Sequence, residues 1–220
     1  STVISNGSED AYSTARGNAI IDRDMASLSK IAERNKTLAL MTASTYANRP
    51  GYTAPKYKLR PLIERRVFNA EGRVFIALYT LNFYNIDEVI SLAVETHKRI
   101  IPYDEPTVTA ITAMQSSGQL MIPRENLGSI DDINRYRDQD ILVLMLGYHP
   151  QIYHKMALLA SGQSDNGRQI KLTPKDLFVM AVPADDNEEI EATDAIDELY
   201  RSGCQVYNIT KKEFYKMHPS

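Results

Sequence analysis

Four histidines and one cysteine are the obvious metal-binding or nucleophilic residues in this chain: His97, His149, His154, His218 and Cys204. None of the histidines forms a His-x-His pair. His149 and His154 are five apart, which puts them on different faces of a helix. A two-metal site needs a convergent set of imidazole, thiolate and carboxylate ligands, and this chain alone does not supply one. Asp185, Asp186, Asn187 and Glu188 could be taken for a metal cluster, but they also suit an acid-rich helix start opposite the macrodipole. Ser161 and Ser164 have no base near them in sequence and no strand-turn-helix elbow, so no nucleophile is read there. Lys56, Lys58, Arg60, Arg65 and Arg66 surround Leu59, Leu62 and Ile63. That pattern reads as an amphipathic helix with a basic side, either a solvated face or a track for an RNA backbone.

The elements that must position these residues follow from the apolar pattern. Residues 73–79 form a short apolar run, as expected for a strand covered on both faces. Thr80, Leu81 and Asn82 then turn the chain, with Asn82 as a helix cap. The free N–H groups of the same helix start also suit a phosphate. Phe83, Ile86, Val89, Ile90, Ala93 and Val94 fall at helical spacing, and residues 99–101 form a second apolar run. This strand-helix-strand unit predicts parallel pairing and a right-handed crossover. The alternation continues to residue 209. A helix follows Pro106 with Val108, Ile111 and Met114 on its buried side and Gly118 at its end. Strands are predicted over 141–146, 177–182 and 204–209, with helices over 150–160 and 188–201. Cys204 is read as a packed core thiol. The fold class is therefore α/β, a three-layer, mostly parallel, doubly wound sheet. Its ligands belong beyond the carboxyl ends of the strands, at residues 80–82, 103–106, 147–150 and 183–188. Within those loops, Tyr84 is packing or a base-stacking ring. Tyr148 and His149 are cleft lining or plain loop residues.

Composition limits the function classes. With 220 residues the chain can bury a good core, and its net charge of −3 gives no overall basic field to attract nucleic acid. No apolar run reaches membrane-spanning length. A single cysteine allows no internal disulfide and predicts a reducing, cytoplasmic setting. The compositional shift within residues 42–57, rich in Pro, Gly, Tyr and Thr, marks a domain boundary. The first and last residues read as cut edges, so a piece of a longer protein is expected.

A family resemblance runs through the chain in register. Thr42-Ala43-Ser44-Thr45, followed by Arg49-Pro50-Gly51-Tyr52-Thr53, resembles the segment that closes the first part of the metallo-β-lactamase domain in ribonuclease J proteins. Gly72 to Ala77 with Asn82 resembles the first strand and turn of their β-CASP domain. Gly118 to Pro123 and Ile130 to Asn134 resemble its middle. Pro183, Asn187, Glu188 and Ile196 to Gly203 resemble its last strand-helix-strand. The resemblance implies residues 1–57 as a metallo-β-lactamase remnant and 58–220 as a β-CASP domain. It also implies RNA as partner, zinc as the parent family's cofactor, and homodimers or heterodimers with an active paralogue.

Most departures from the family pattern fall in or beside the loops named above, and one, Ala43, lies earlier in the chain. Ala43 stands where active members carry a metal-bridging Asp, and a methyl group cannot ligate zinc. Gly147-Tyr148-His149-Pro150 replaces a Gly-Ser-Gln-Gly-Glu-Pro loop. Tyr103-Asp104-Glu105 replaces a phosphate-friendly Gly-Arg-Ser turn and would repel a phosphate. Leu81 replaces a small hydroxyl residue, and Tyr84 a histidine. Ser220 falls on the serine of a Ser-Gly-His motif. The expected function is a non-catalytic or weakly catalytic RNA-binding or partner subunit with a degenerate metal site and no metal held by this chain alone. An active zinc ribonuclease with ligands outside this chain is the alternative. A small-molecule-binding α/β domain is a third reading, with no Gly-rich phosphate loop to support it. The site residues expected to touch substrate are Asn82, Tyr84, Tyr148, His149, Asn187, Lys58, Arg60 and Arg65.

Overall fold

The computed structural model describes residues 59–163, 170–184 and 189–210, together with residues 30, 31, 33, 34, 52, 53, 213, 217 and 218. Ala43, Lys58 and Asn187 lie outside the described residues, as do Asp185, Asp186, Glu188 and Ser220.

The elements run β1 (Tyr52–Thr53), α1 (Arg60–Phe68), β2 (Val74–Tyr79), α2 (Phe83–Glu95), β3 (Arg99–Pro102), α3 (Glu105–Ser116), β4 (Ile141–Gly147), α4 (Gln151–Ala160), β5 (Leu177–Ala181), α5 (Glu189–Ser202), β6 (Gln205–Asn208) and β7 (Met217–His218). Strands β2 to β6 form one parallel sheet in the order β3-β4-β2-β5-β6. β1 and β7 pair antiparallel, bringing together two segments far apart in sequence.

Strand alternation divides the core in two. Ile76, Leu144 and Val179 join the cluster covered by α1, α2 and α3. Phe75, Val143 and Phe178 point the other way, into the cluster covered by α4 and α5. Phe75 sits opposite both Val143 and Phe178 in register, and its ring stacks on Phe178 at 6.1 Å. Each large side chain taken fully out of water here stabilises the fold by about 1.5–3 kcal/mol. The doubly wound, three-layer expectation holds.

Three expectations need correction. β2 and β3 are parallel but not neighbours, because β4 lies between them. All seven residues of β4 are buried, so this strand takes an interior place with a partner on each side, and four-residue β3 becomes an edge. Val108 is not on the buried side of α3; Thr107, Ile111 and Met114 are. Thr107 is turned inward because its hydroxyl has buried polar partners, described below. Phe83 is 40% exposed at the first position of α2, beside an open groove.

The amino end of the sheet is locked by Arg73 and Asp176. The Asp176 carboxylate is fully buried and accepts from Arg73 N, Nε and a terminal guanidinium nitrogen at 2.9, 3.1 and 2.6 Å, and from Thr173 N at 2.8 Å. A buried charge is tolerable when its lone pairs are filled in this way. Gly72, beside it, passes so close to the next loop that a Cβ would lie 2.5 Å from Lys175 O.

Candidate functional site

The carboxyl end of the sheet is organised differently. β2 leads into α2 on one face, while its neighbour β4 leads into α4 on the other. The chain parts at that point and leaves a crevice, the usual ligand position in doubly wound sheets. Thr80 N donates to Gly147 O at 3.0 Å and ties the two loops together. A groove of about 710 Å³ opens there, walled by Leu81 from the first loop and Phe83 from the start of α2, Glu105 and Pro106 from the start of α3, and Tyr148 and Gln151 from the second loop and α4. Three of the four loops expected to carry function therefore meet in one place.

Beneath the groove is a polar cluster. Asp104 caps α3: its Oδ1 accepts from Thr107 N at 3.0 Å and from Thr107 Oγ1 at 2.5 Å. Thr107 Oγ1 in turn accepts from Leu146 N at 3.1 Å, in the last turn of β4. Lys155, only 5% exposed, places Nζ 2.5 Å from Asp104 Oδ2 and donates to Leu146 O at 3.1 Å. The helix start that could receive a phosphate is thus filled by a resident carboxylate, and the nearby cation is neutralised.

A second cluster joins β2 to β5 through aromatic hydroxyls. Tyr79 Oη lies 2.7 Å from Tyr153 Oη and 3.2 Å from His149 Nδ1, and donates to Pro183 O at 2.8 Å. Tyr153 Oη also reaches Val182 O at 3.0 Å. The two phenolic protons are shared among two carbonyls, the hydroxyl–hydroxyl contact and His149 Nδ1, so the part His149 plays follows from its tautomer. It lies over Tyr79 with ring centres 4.1 Å apart.

The expected site residues do not all converge. Asn82 is 5% exposed and accepts from Asn85 N at 3.4 Å, the cap expected of it. Tyr148 is 54% exposed on the groove wall. His149 is half-buried against Tyr79 and Tyr153, and Tyr84 is half-buried on α2. Arg60 and Arg65 lie elsewhere. Arg60 bridges Glu64 and Glu95 at 2.7 and 2.6 Å, and Glu95 ends α2 at its far end from Asn82, roughly 20 Å along a helix of that length. The hydrogen bond to Glu95, and then that to Glu64, push the Arg60 guanidinium pKa up; Arg60 holds Glu95 down. Arg65 is exposed beside Phe68. Leu59 N and Arg60 N are capped by Glu88 Oε2 at 2.8 and 3.2 Å, so this helix start belongs to the packing of α1 on α2.

Lys155, Thr107, Tyr79 and Tyr153 were not singled out by sequence. Lys155 had a signal: it falls among Ile152, Met156 and Leu159 on the buried side of α4, where a charge needs a partner. Asp104-x-x-Thr107 had another, as a helix cap pattern.

Zinc does not fit the described residues. No three His, Cys, Asp or Glu side chains among them converge as ligands, and the histidine nearest the groove is engaged by tyrosines. No described helix is long and apolar enough to cross a membrane.

Fold and crevice together define a doubly wound α/β domain with a groove at its switch point. The family profile described as Ribonuclease J, beta-CASP domain matches residues 71–199, and the chain belongs to that family. It is 24% identical over 197 residues to Ribonuclease J2 of Bacillus subtilis, covering 90% of this chain and 35% of that protein. It is 22% identical over 199 residues to Ribonuclease J 2 of Staphylococcus epidermidis, covering 89% of this chain and 34% of that protein. For Ribonuclease J 2 of Staphylococcus saprophyticus the identity is 20% over 195 residues, with 89% and 34% covered. The chain spans about a third of the length of these relatives.

Proposed function

We propose that this chain is the β-CASP part of a ribonuclease J-like protein whose phosphate and metal sites have been rewritten. The protein acts as a non-catalytic or weakly catalytic subunit that binds RNA or an active paralogue. The observation that carries this reading is the Asp104 carboxylate, held 2.5 Å from Lys155 at the start of α3. An incoming phosphate finds the helix dipole and the ammonium already satisfied, and meets Glu105 as well. Ala43 supports the same reading from sequence, since the resemblance puts a metal-bridging carboxylate there. The pairing of β1 with β7 supports the inserted-domain layout, because both lie outside the matched segment and bring its ends together. Residues 1–57 are then the remnant of the metallo-β-lactamase domain.

RNA contact is assigned to Lys58, Arg60, Arg65, Asn82, Tyr84, Tyr148, His149 and Asn187. The structure separates Arg60 and Arg65 from the groove, so the basic side of α1 would follow the backbone while the groove region meets another part of the strand.

The test uses full-length protein and 5′-labelled single-stranded RNA with added zinc or manganese. Binding without cleavage is expected, and Ala43→Asp should raise any residual cleavage. Wild-type cleavage at the rate of an active family member would overturn the proposal. Lys58, Arg60 and Arg65 reversed to Glu should weaken binding and flatten its salt dependence.

A further inference from the structure

The groove at the switch point is altered in what it offers, and not simply closed. Its walls present Leu81, Phe83 and Tyr148, which are 46%, 40% and 54% exposed and gather open apolar and aromatic surface in one crevice. Its polar groups include the Gln151 amide, which both donates and accepts. Among the described lining residues the charges are Glu105, which is exposed, and Lys155, which is buried on Asp104. A ligand entering here gains by covering apolar and aromatic surface, finds neutral hydrogen-bonding groups, and meets one outward negative charge. An anion is disfavoured. A flat, uncharged ring with amino donors on its edge is matched in polarity, hydrogen bonding and charge.

We propose that this groove holds an unstacked nucleobase of single-stranded RNA, with Tyr148 as its stacking surface, and that Asp104 and Glu105 bar phosphate from it. The assignment deepens the RNA-binding reading and rests on it for the source of the base. Asp104 acts as a specificity-determining residue: it spends the α3 start and the Lys155 ammonium on itself. Glu105, exposed on the groove lining, is the acceptor for an exocyclic amine. The groove, about 710 Å³ and open to solvent, has room for a base with its sugar.

Full-length protein is titrated with adenosine, with adenosine 5′-monophosphate and with a single-stranded RNA octamer bearing a 5′-hydroxyl. Adenosine should bind about tenfold more tightly than the monophosphate, and Tyr148→Ala should weaken adenosine about tenfold, within the range of base-aromatic stacking. Asp104→Asn and, as an exposed change that leaves the cap intact, Glu105→Gln should narrow the gap between the two nucleotides. Monophosphate binding as tight as adenosine, no adenosine binding, or an indifferent Tyr148→Ala variant would each overturn the assignment. The octamer separates the two readings. Octamer bound equally by wild type and Tyr148→Ala sinks the groove and leaves RNA binding standing. Adenosine bound with no octamer binding sinks the RNA reading and keeps a base-binding groove.

Discussion

Lys155 Nζ lies 2.5 Å from Asp104 Oδ2 beneath the carboxyl end of β4, and both side chains are nearly out of solvent. The pair joins α4 to α3 across the groove floor. Asp104→Ala should cost about 3–5 kcal/mol, because it leaves a buried ammonium without its anion as well as removing a cap. Lys155→Met should cost less, since Thr107 N and Oγ1 still donate to Asp104 Oδ1 and only Oδ2 loses its partner. Urea unfolding of both single variants and the double variant should show strong coupling. Additive losses would mean that the two groups do not depend on each other.

At the opposite end of the sheet, Asp176 fills the needs of Arg73 and the Thr173 amide. Asp176→Ala should destabilise by about 3–5 kcal/mol, and Arg73→Met with Asp176→Leu should recover part of that loss. Thermal melts of the single and the double variant against wild type check this. A single variant that melts with the wild type would contradict the lock.

Gly72 has no space for a methyl group, as its Cβ would lie 2.5 Å from Lys175 O and 2.9 Å from Asp176 N. Both contacts are backbone, so the loop must shift. Gly72→Ala should cost roughly 1–3 kcal/mol. Gly118→Ala has open space but a φ of 72°, and should lose only the smaller cost of a left-handed conformation. Chemical denaturation should rank the two in that order.

Burial pushes the Cys204 thiol above its ordinary pKa, with a smaller opposing effect from Ser202. A raised thiol keeps its proton longer in the folded state than in the unfolded state. Its contribution to stability is therefore complete below the ordinary thiol pKa and is lost as pH rises through the folded value. Alkylation by iodoacetamide at pH 8.5 should be about tenfold or more slower in native protein than in urea-unfolded protein. Equal rates would place the thiol in solvent.

Much of the fold was legible because continuous apolar runs such as residues 141–146 leave little choice of element, and Asn82 and Gly203 mark helix ends by mechanism. Strand order was not legible. Adjacency in sequence suggested β2 beside β3, and only the demand of fully buried β4 for two neighbours separates them. Helical spacing also assigned Phe83 and Val108 to the core. It registers apolar type, whereas Thr107 takes the inward place through its hydroxyl bonds to Asp104 and Leu146. For the site, topology pointed to the loops at residues 80–82, 103–106 and 147–150, and residues of all three line one groove, with Tyr148 on its wall. Lys155 was hidden inside an apolar helix face, because a buried charge is recognised by its partner, and Asp104 is 51 residues away in sequence.

Metal content is the sharpest test of the proposal that the β-CASP scaffold survives here while the ligands for metal and phosphate do not. Full-length protein purified without chelator would be analysed for zinc and manganese per chain. Far less than one ion per chain is expected, and Ala43→Asp should raise that content. Two tightly held ions per wild-type chain would contradict it.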